Sequence, residues 1–269
     1  MAAARGSLLM PAGGLLVVLC VVVFFVQSVQ AVNATAPANS TSLLSVIDYS
    51  PDHVSYSGNI VTLKMDSQSG SRVHSVGRYA YGVFSADIKC PAGDTVGLIP
   101  TFYTSSLEGS EYKDELDWEF LGKNSSIIQT NVWVDGVGKR EAVHDLGFDC
   151  SQAFHKYTID WNPLRAKWFI DGQLVRTYVN TGNASEYPTK PAYAYASIWD
   201  SGYPGEGWNG RATYANAPYF YQLANVTVSS PGSSTGPSSA PRPAPARSPV
   251  GSPVRSPVKI TLPGRKLFR

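Results

Sequence analysis

Asp114-Glu115-Leu116-Asp117-Trp118-Glu119-Phe120 alternates, from Glu115 on, an acid with a large apolar residue through six positions. Successive side chains of a β-strand point to opposite faces. Glu115, Asp117 and Glu119 therefore share one face, and Leu116, Trp118 and Phe120 share the other. The apolar face belongs against a core. The acidic face is harder to account for, because three neighbouring carboxyls repel one another and raise one another's pKa. Alternation alone leaves two readings open. One is a half-exposed strand whose solvent side happens to be acidic; the other is a strand that gathers carboxyls for chemistry.

Outward from this stretch the chain keeps the same period of two. Short alternating segments at 60–65, 80–89, 96–103, 115–121, 127–134, 156–161, 166–170, 192–198 and 219–228 predict strands. Ser69-Gly70, Ala92-Gly93-Asp94, Asp135-Gly136, Asn162-Pro163 and Asp171-Gly172 punctuate them. The run from Trp168 to Val175 predicts a hairpin turning on Asp171-Gly172. No helical apolar period of useful length occurs. The expected fold is all-β, a two-sheet jelly-roll sandwich of concanavalin A-like form with one concave face.

The two ends differ from this body. Residues 1–31 combine Arg5, an apolar stretch from Leu15 to Val26 and the small-residue pattern Val29-Gln30-Ala31, which together predict a secretory signal peptide cleaved after Ala31. The alternative is an uncleaved anchor, since apolar character reaches back to Leu8, although Gly13 and Gly14 interrupt it. A short leader at 32–44 precedes the expected domain at 45–229. Residues 230–269 form a Pro/Ser-rich tail with seven basic residues and no acid, a composition that predicts disorder. Without the tail and Arg5, fourteen bases face twenty acids, so the body is acidic and unlike a nucleic-acid-binding domain. The tail's functional expectation is retention on acidic wall polymers such as pectin; the bland one is a solvated linker. Cys20 leaves with the signal, and Cys90 and Cys150 then form the one pair available for a disulfide in an oxidising compartment. Sequons at Asn33, Asn39, Asn124, Asn183 and Asn225 fit a secreted glycoprotein.

Retaining glycoside hydrolysis gives the acidic face a purpose. It needs an ionised carboxylate as nucleophile and a protonated carboxyl as proton donor, about 5–5.5 Å apart. Positions i and i+4 of a flat strand lie roughly 13 Å apart, so Glu115 and Glu119 would have to lean together on a bent sheet. Asp117 between them would orient the nucleophile and share protons.

Glu115-Leu116-Asp117-Trp118-Glu119-Phe120-Leu121-Gly122 resembles the active-site motif of glycoside hydrolase family 16, and within it the plant xyloglucan endotransglucosylase/hydrolase group with its related endoglucanases. Further matching stretches fall in order: Phe102-Tyr103-Thr104-Ser105-Ser106, Gln129-Thr130-Asn131-Val132, Gly138-Lys139-Arg140-Glu141, Phe154-His155-Lys156-Tyr157, Trp161-Asn162-Pro163, Ser197-Ile198-Trp199-Asp200 and Ala217-Pro218-Tyr219. The resemblance implies Glu115 as nucleophile, Glu119 as general acid/base and Asp117 as the assisting residue. It places sugar contacts at Tyr103, Gln129, Asn131, Glu141 and Trp199, with Trp208 as a looser addition. Each has a structural alternative: Tyr103 and Trp199 as core aromatics, Gln129 and Asn131 as the polar side of a strand. The implied reaction takes a polysaccharide donor and water or an oligosaccharide acceptor, in the cell wall, with no cofactor.

His53, His74, His144 and His155 lack metal spacing, His155 reads as structural, and no phosphate-binding glycine loop or serine elbow is present. The chain departs from the plant group in three ways. It lacks the cysteine-rich C-terminal extension, it has Val143 where those enzymes tend to keep an arginine, and it carries Cys90 and Cys150. Two alternatives stay open at this stage: a chitin–β-glucan transglycosylase of fungal wall type, and a non-catalytic lectin-like module. A structural wall protein working through its tail is a third.

Overall fold

The computed structural model describes residues 34–35, 42–202 and 208–230. The expected signal peptide, most of the leader, all but the first residue of the tail, and the sequons at Asn33 and Asn39 lie outside the described residues. Fifteen strands occur among those described: β1 (Ala34–Thr35), β2 (Leu44–Tyr49), β3 (Val54–Ser57), β4 (Ile60–Met65), β5 (Ser71–Ser75), β6 (Gly82–Lys89), β7 (Leu98–Ser105), β8 (Glu115–Phe120), β9 (Ile127–Trp133), β10 (Ala142–Asp145), β11 (His155–Asn162), β12 (Arg165–Ile170), β13 (Gln173–Val179), β14 (Tyr193–Asp200) and β15 (Tyr219–Ser229). They form two antiparallel sheets, ordered β1-β2-β5-β14-β7-β8-β9-β10 and β13-β12-β11-β6-β15-β4-β3. The expected jelly-roll sandwich is the fold.

The core lies between the sheets and is rich in aromatics. Leu116 and Trp118 on β8 are fully buried and Phe120 nearly so, opposite Tyr157, Trp168 and Tyr221 of the other sheet. Trp118 and Phe120 both set their rings edge-on to Tyr157, at centroid distances of 5.6 and 4.9 Å, the arrangement that the ring quadrupole favours. Trp168 also donates its indole N–H to the Asp117 carbonyl at 3.1 Å. The apolar half of the motif is therefore what fixes the position of the acidic half. β8 pairs on both sides, with β7 and β9, so a slip of one residue would turn every one of these side chains to the wrong face. The strand ends where Gly122 passes the neighbouring chain; a Cβ there would sit 1.9 Å from the Thr95 carbonyl oxygen.

The Asp171-Gly172 hairpin forms as expected, with both residues at positive φ (47° and 78°), the requirement of a type I′ turn. The Asp171 carboxylate binds the Lys156 amide at 2.8 Å and pairs with the His155 ring at 2.7 Å. Cys90 and Cys150 are joined by a disulfide, their Cα atoms 5.3 Å apart. Asn124, Asn183 and Asn225 are all exposed.

Candidate active site

The outer face of the eight-stranded sheet is hollowed into a cleft of about 790 Å3. Register builds its floor in three rows. Ser105, Glu115 and Trp133 lie side by side across β7, β8 and β9; so do Tyr103, Asp117 and Asn131, and then Thr101, Glu119 and Gln129. Alternation on β8 sends all three acids into the cleft, but not into open solvent. Glu115 and Asp117 are only 6% and 3% exposed, which excludes the reading of an ordinary solvent face.

The three carboxyls meet different environments. Glu115 is held by the Lys113 ammonium at 2.9 Å, and Lys113 lies over the Trp133 ring. Glu108 faces Lys113 at 3.6 Å and Arg72 at 3.6 Å, and Arg72 pairs with Asp48 at 2.5 Å, so a chain of charges runs from β2 to Glu115. Burial raises the pKa of Glu115; Lys113 opposes that rise and Glu108 adds to it. One carboxyl oxygen of Asp117 has no hydrogen-bond partner among the described residues. Burial, then the charges of Glu115 and Glu119, push it well above the usual carboxylate range. Glu119 accepts a hydrogen bond from Gln129 Nε2 at 2.6 Å. Burial pushes Glu119 up to about 7, against that bond and with help from the Glu141 charge. Burial lifts Glu115 to about 8, above Glu119. What sets Glu115 apart is the Lys113 ammonium, the one cation among the described residues that directly contacts any of the three carboxyls, and that contact favours its ionised form.

All nine residues singled out for catalysis or sugar contact line this one cleft. Their surroundings differ. Tyr103 is 6% exposed and stacks on Tyr195 with centroids 5.1 Å apart, so it is a floor residue held by packing. Asn131 turns its side-chain oxygen to the Val132 amide at 2.8 Å. Trp199 and Trp208 are more than a third exposed, their ring centres 6.4 Å apart, and present aromatic surface to the cleft. Val143 is paired with Gln129 across β9 and β10 and is largely exposed. Lys113, Glu108, Arg72, Tyr49 and Trp133 also line the cleft and were not anticipated. Strand parity could have found Lys113, two positions before Glu115. Asp114, given no role from the sequence, is 3% exposed and accepts the amides of Asp135, Thr189 and Lys190 at 3.0, 2.8 and 3.1 Å, fixing the loops at the Glu115 end of the cleft.

The raised pKa of Asp117 has a consequence for stability. Its folded-state pKa lies above its unfolded value, so the folded protein keeps a proton that the unfolded chain releases. The resulting penalty is absent below the unfolded pKa and grows as pH rises above it. Asp117→Asn is expected to raise Tm at pH 8 by roughly 2–4 °C, about 1 kcal/mol, while changing it little at pH 3.5. Calorimetry at the two pH values checks this; an equal shift at both would remove ionisation as the cause.

The family model described as Glycosyl hydrolases family 16 matches residues 45–218. Xyloglucan endotransglucosylase/hydrolase protein 3 of Arabidopsis thaliana is 36% identical over 181 residues, 65% of this chain and 60% of that protein. The chain thus spans about three-fifths of the length of that curated relative. Among solved structures, the Bacillus licheniformis beta-glucanase is similar with a TM-score of 0.58 at 28% identity, over 72% of this chain and 90% of that one. The Crh5 transglycosylase in complex with NAG is similar with a TM-score of 0.58 at 24% identity, over 66% of this chain and 75% of that one, a likeness of fold alone.

Proposed function

Because the chain belongs to glycoside hydrolase family 16, we propose that it is a retaining, endo-acting glycosidase or transglycosylase that cuts a β-1,4-glucan-type wall polysaccharide, xyloglucan or mixed-linkage glucan. The observation that carries this reading is the division of labour along β8. One buried carboxyl is paired with an ammonium, and another, two rows away in the same cleft, is paired with a neutral amide. Glu115 attacks the anomeric carbon while Glu119 gives its proton to the departing glycosidic oxygen, so that a glycosyl–Glu115 ester forms and the leaving chain departs as an alcohol. Glu119, now ionised, takes a proton from water or from an acceptor sugar hydroxyl, whose oxygen displaces Glu115 and restores both carboxyls. Asp117, favouring its protonated form, is placed to share that proton with its neighbours.

An open cleft rather than a closed pocket fits attack within a chain. Among the described residues its lining holds five acids (Glu108, Glu115, Asp117, Glu119, Glu141) against two bases (Arg72, Lys113), which favours a neutral glycan over an anionic one. The choice of xyloglucan rests on the Arabidopsis relative, a xyloglucan endotransglucosylase/hydrolase. Tyr103, Gln129, Asn131, Glu141, Trp199 and Trp208 would bind the sugars, and residues 45–229 would form the catalytic unit of a secreted, wall-located protein. The disulfide fits an oxidising compartment. The basic tail would retain the enzyme on acidic polymers; a tail-deleted protein that binds pectin equally well at low salt would exclude that role.

The test incubates the purified protein with xyloglucan, mixed-linkage glucan and chitin oligosaccharides, with and without a labelled glucan acceptor. Polymer-length labelled product from xyloglucan or mixed-linkage glucan is the result expected of a transferase, and new unlabelled reducing ends that of a hydrolase. Turnover of chitin alone would move the assignment to a different wall polymer. Binding without any turnover would replace the enzyme with a lectin-like module.

A further inference from the structure

Trp208 lies on the loop between β14 and β15, and its indole N–H donates to Gln129 Oε1 at 3.1 Å. Gln129 in turn donates from Nε2 to Glu119 Oε2 at 2.6 Å. The chemistry of these groups makes the chain directional. An indole N–H can only donate, so the atom of Gln129 that meets it must be the carbonyl oxygen. The amide nitrogen is then obliged to face Glu119. That leaves Oε2 as an acceptor and assigns the acidic proton to Oε1.

Trp208 is well placed to impose this order, because its backbone is pinned. Its carbonyl accepts from Lys123 Nζ at 2.6 Å. The next residue, Asn209, is fully buried: its side chain accepts from the Lys123 amide at 3.0 Å and donates to the Leu98 carbonyl at 2.8 Å, and its carbonyl accepts from the Gly97 amide at 3.0 Å. Gln129 is itself 5% exposed, so little water is at hand to replace either partner.

We propose that Trp208 is a positioning residue for the acid/base: its N–H fixes the orientation of the Gln129 amide and thereby which oxygen of Glu119 carries the proton. This deepens the function proposed above and rests on Glu119 being the acid. Removing the N–H frees the amide to rotate. A rotated Gln129 offers its carbonyl to Glu119, accepts the acid's proton and holds it away from the glycosidic oxygen. A hydrogen bond to the neutral form raises an acid's pKa, whereas the amide N–H of the wild type lowers it. The charged groups facing Glu119 are Asp117 on its own strand, Lys113 ahead of that strand and Glu141 ahead of β10. From β7 and β9 it meets the neutral Thr101 and Gln129. A Trp208 variant changes none of these charges, so a shift in titration would report the amide.

The experiment compares the full-length protein with Trp208→Phe, which keeps an aromatic ring but loses the N–H and part of the stacking area, and with Trp208→Ala, which loses both entirely. On a glucan donor, Trp208→Phe is expected to lose about tenfold in kcat, the usual weight of one neutral hydrogen bond in a dry site, with KM within about twofold. The alkaline limb of its kcat/KM profile, which reports the acid of the free enzyme, should move to higher pH. Trp208→Ala should show the same shift with KM raised as well. An unchanged kcat and alkaline limb in Trp208→Phe, or a rise in KM alone, would reduce Trp208 to a stacking surface and overturn the proposal. A second readout separates this from failure of the proposed function. The side-chain amide of Gln129, followed by NMR with pH, should track the Glu119 titration, and its midpoint should rise in Trp208→Phe. If the wild type cuts no glucan while that midpoint moves, the functional reading fails and the orienting role stands. A midpoint that does not move overturns the role whatever the activity.

Discussion

Glu115→Ala is expected to lose at least about 10^4-fold in kcat on any polymeric donor, on the scale seen when an enzyme loses a nucleophile that works as part of a unit. The size follows from how little else in the cleft could take over. Asp117 shares the face, but burial and two neighbouring charges hold it toward its protonated form, and a carboxylic acid is a poor nucleophile. Glu119, as the proposed acid, would be engaged with the leaving oxygen, and it has no cation in direct contact among the described residues. The variant also leaves a small space beside the Lys113 ammonium, which favours a bound anion. Azide is therefore expected to restore cleavage of an activated aryl glycoside in Glu115→Ala, with the glycosyl azide formed on the face opposite to the leaving group. In Glu119→Ala the covalent intermediate still forms, so azide should give the azide of retained configuration. Chiral analysis of the two products assigns the two glutamates independently of the size of either rate loss. Retention from Glu115→Ala, or a tenth of wild-type activity without azide, would take the nucleophile's role away from Glu115.

Much of this was legible in the chain because it depends on parity. The nine expected strands all occur, and alternation alone placed Leu116, Trp118 and Phe120 in the core and three acids on the opposite face. What parity could not show was how deeply those acids are sunk, since burial of Glu115 and Asp117 comes from walls supplied by distant elements. Arg72 reaches the cleft from β5, and Ser71-Arg72-Val73-His74-Ser75 carries a single large apolar residue, too weak an alternation to announce a strand. β3 and β10 are four-residue strands with exposed or half-buried side chains; Val54-Ser55-Tyr56-Ser57 does alternate, but over too short a run to stand out, and β10 has no apolar period. β2, with Leu44 and Ile47 buried three positions apart, breaks strict alternation through the irregular register it makes with β5. The contact of Trp208 with Gln129 joins positions 79 residues apart through a loop. No spacing rule encodes it. The acidic strand was readable because its geometry is local, whereas the residues that surround its carboxyls arrive through register and loops.

Replacing both cysteines of the Cys90–Cys150 bridge with serine is expected to cost about 2–5 kcal/mol of stability, the usual range for removing a native disulfide. The bridge spans 60 residues, and closing a loop of that length in the unfolded chain accounts for about 4 kcal/mol in the chain-entropy account. For a domain near 185 residues that corresponds to a fall in Tm of roughly 8–16 °C. The location decides what else should change. Cys90 follows β6 and Cys150 precedes β11, adjacent strands of the seven-stranded sheet, and the Cys90 amide also donates to the Cys150 carbonyl at 2.9 Å. Cys150 further donates its amide to Ser125, on the turn that leads from the acidic strand to β9. The clamp thus holds the far sheet and the exit of β8, while the cleft rows at Glu115 to Glu119 are set by pairing with β7 and β9 and by the Trp168 bond to Asp117. The serine variant should therefore melt early yet keep kcat at 20 °C within about twofold of the wild type, well below its transition. Calorimetry and an initial-rate assay on the same preparation test the two halves together. A Tm fall below about 2 °C would mean that pairing of β6 with β11 already closes this loop in the unfolded ensemble. A large loss of kcat at 20 °C would instead tie the exit of β8 to the geometry of Glu119.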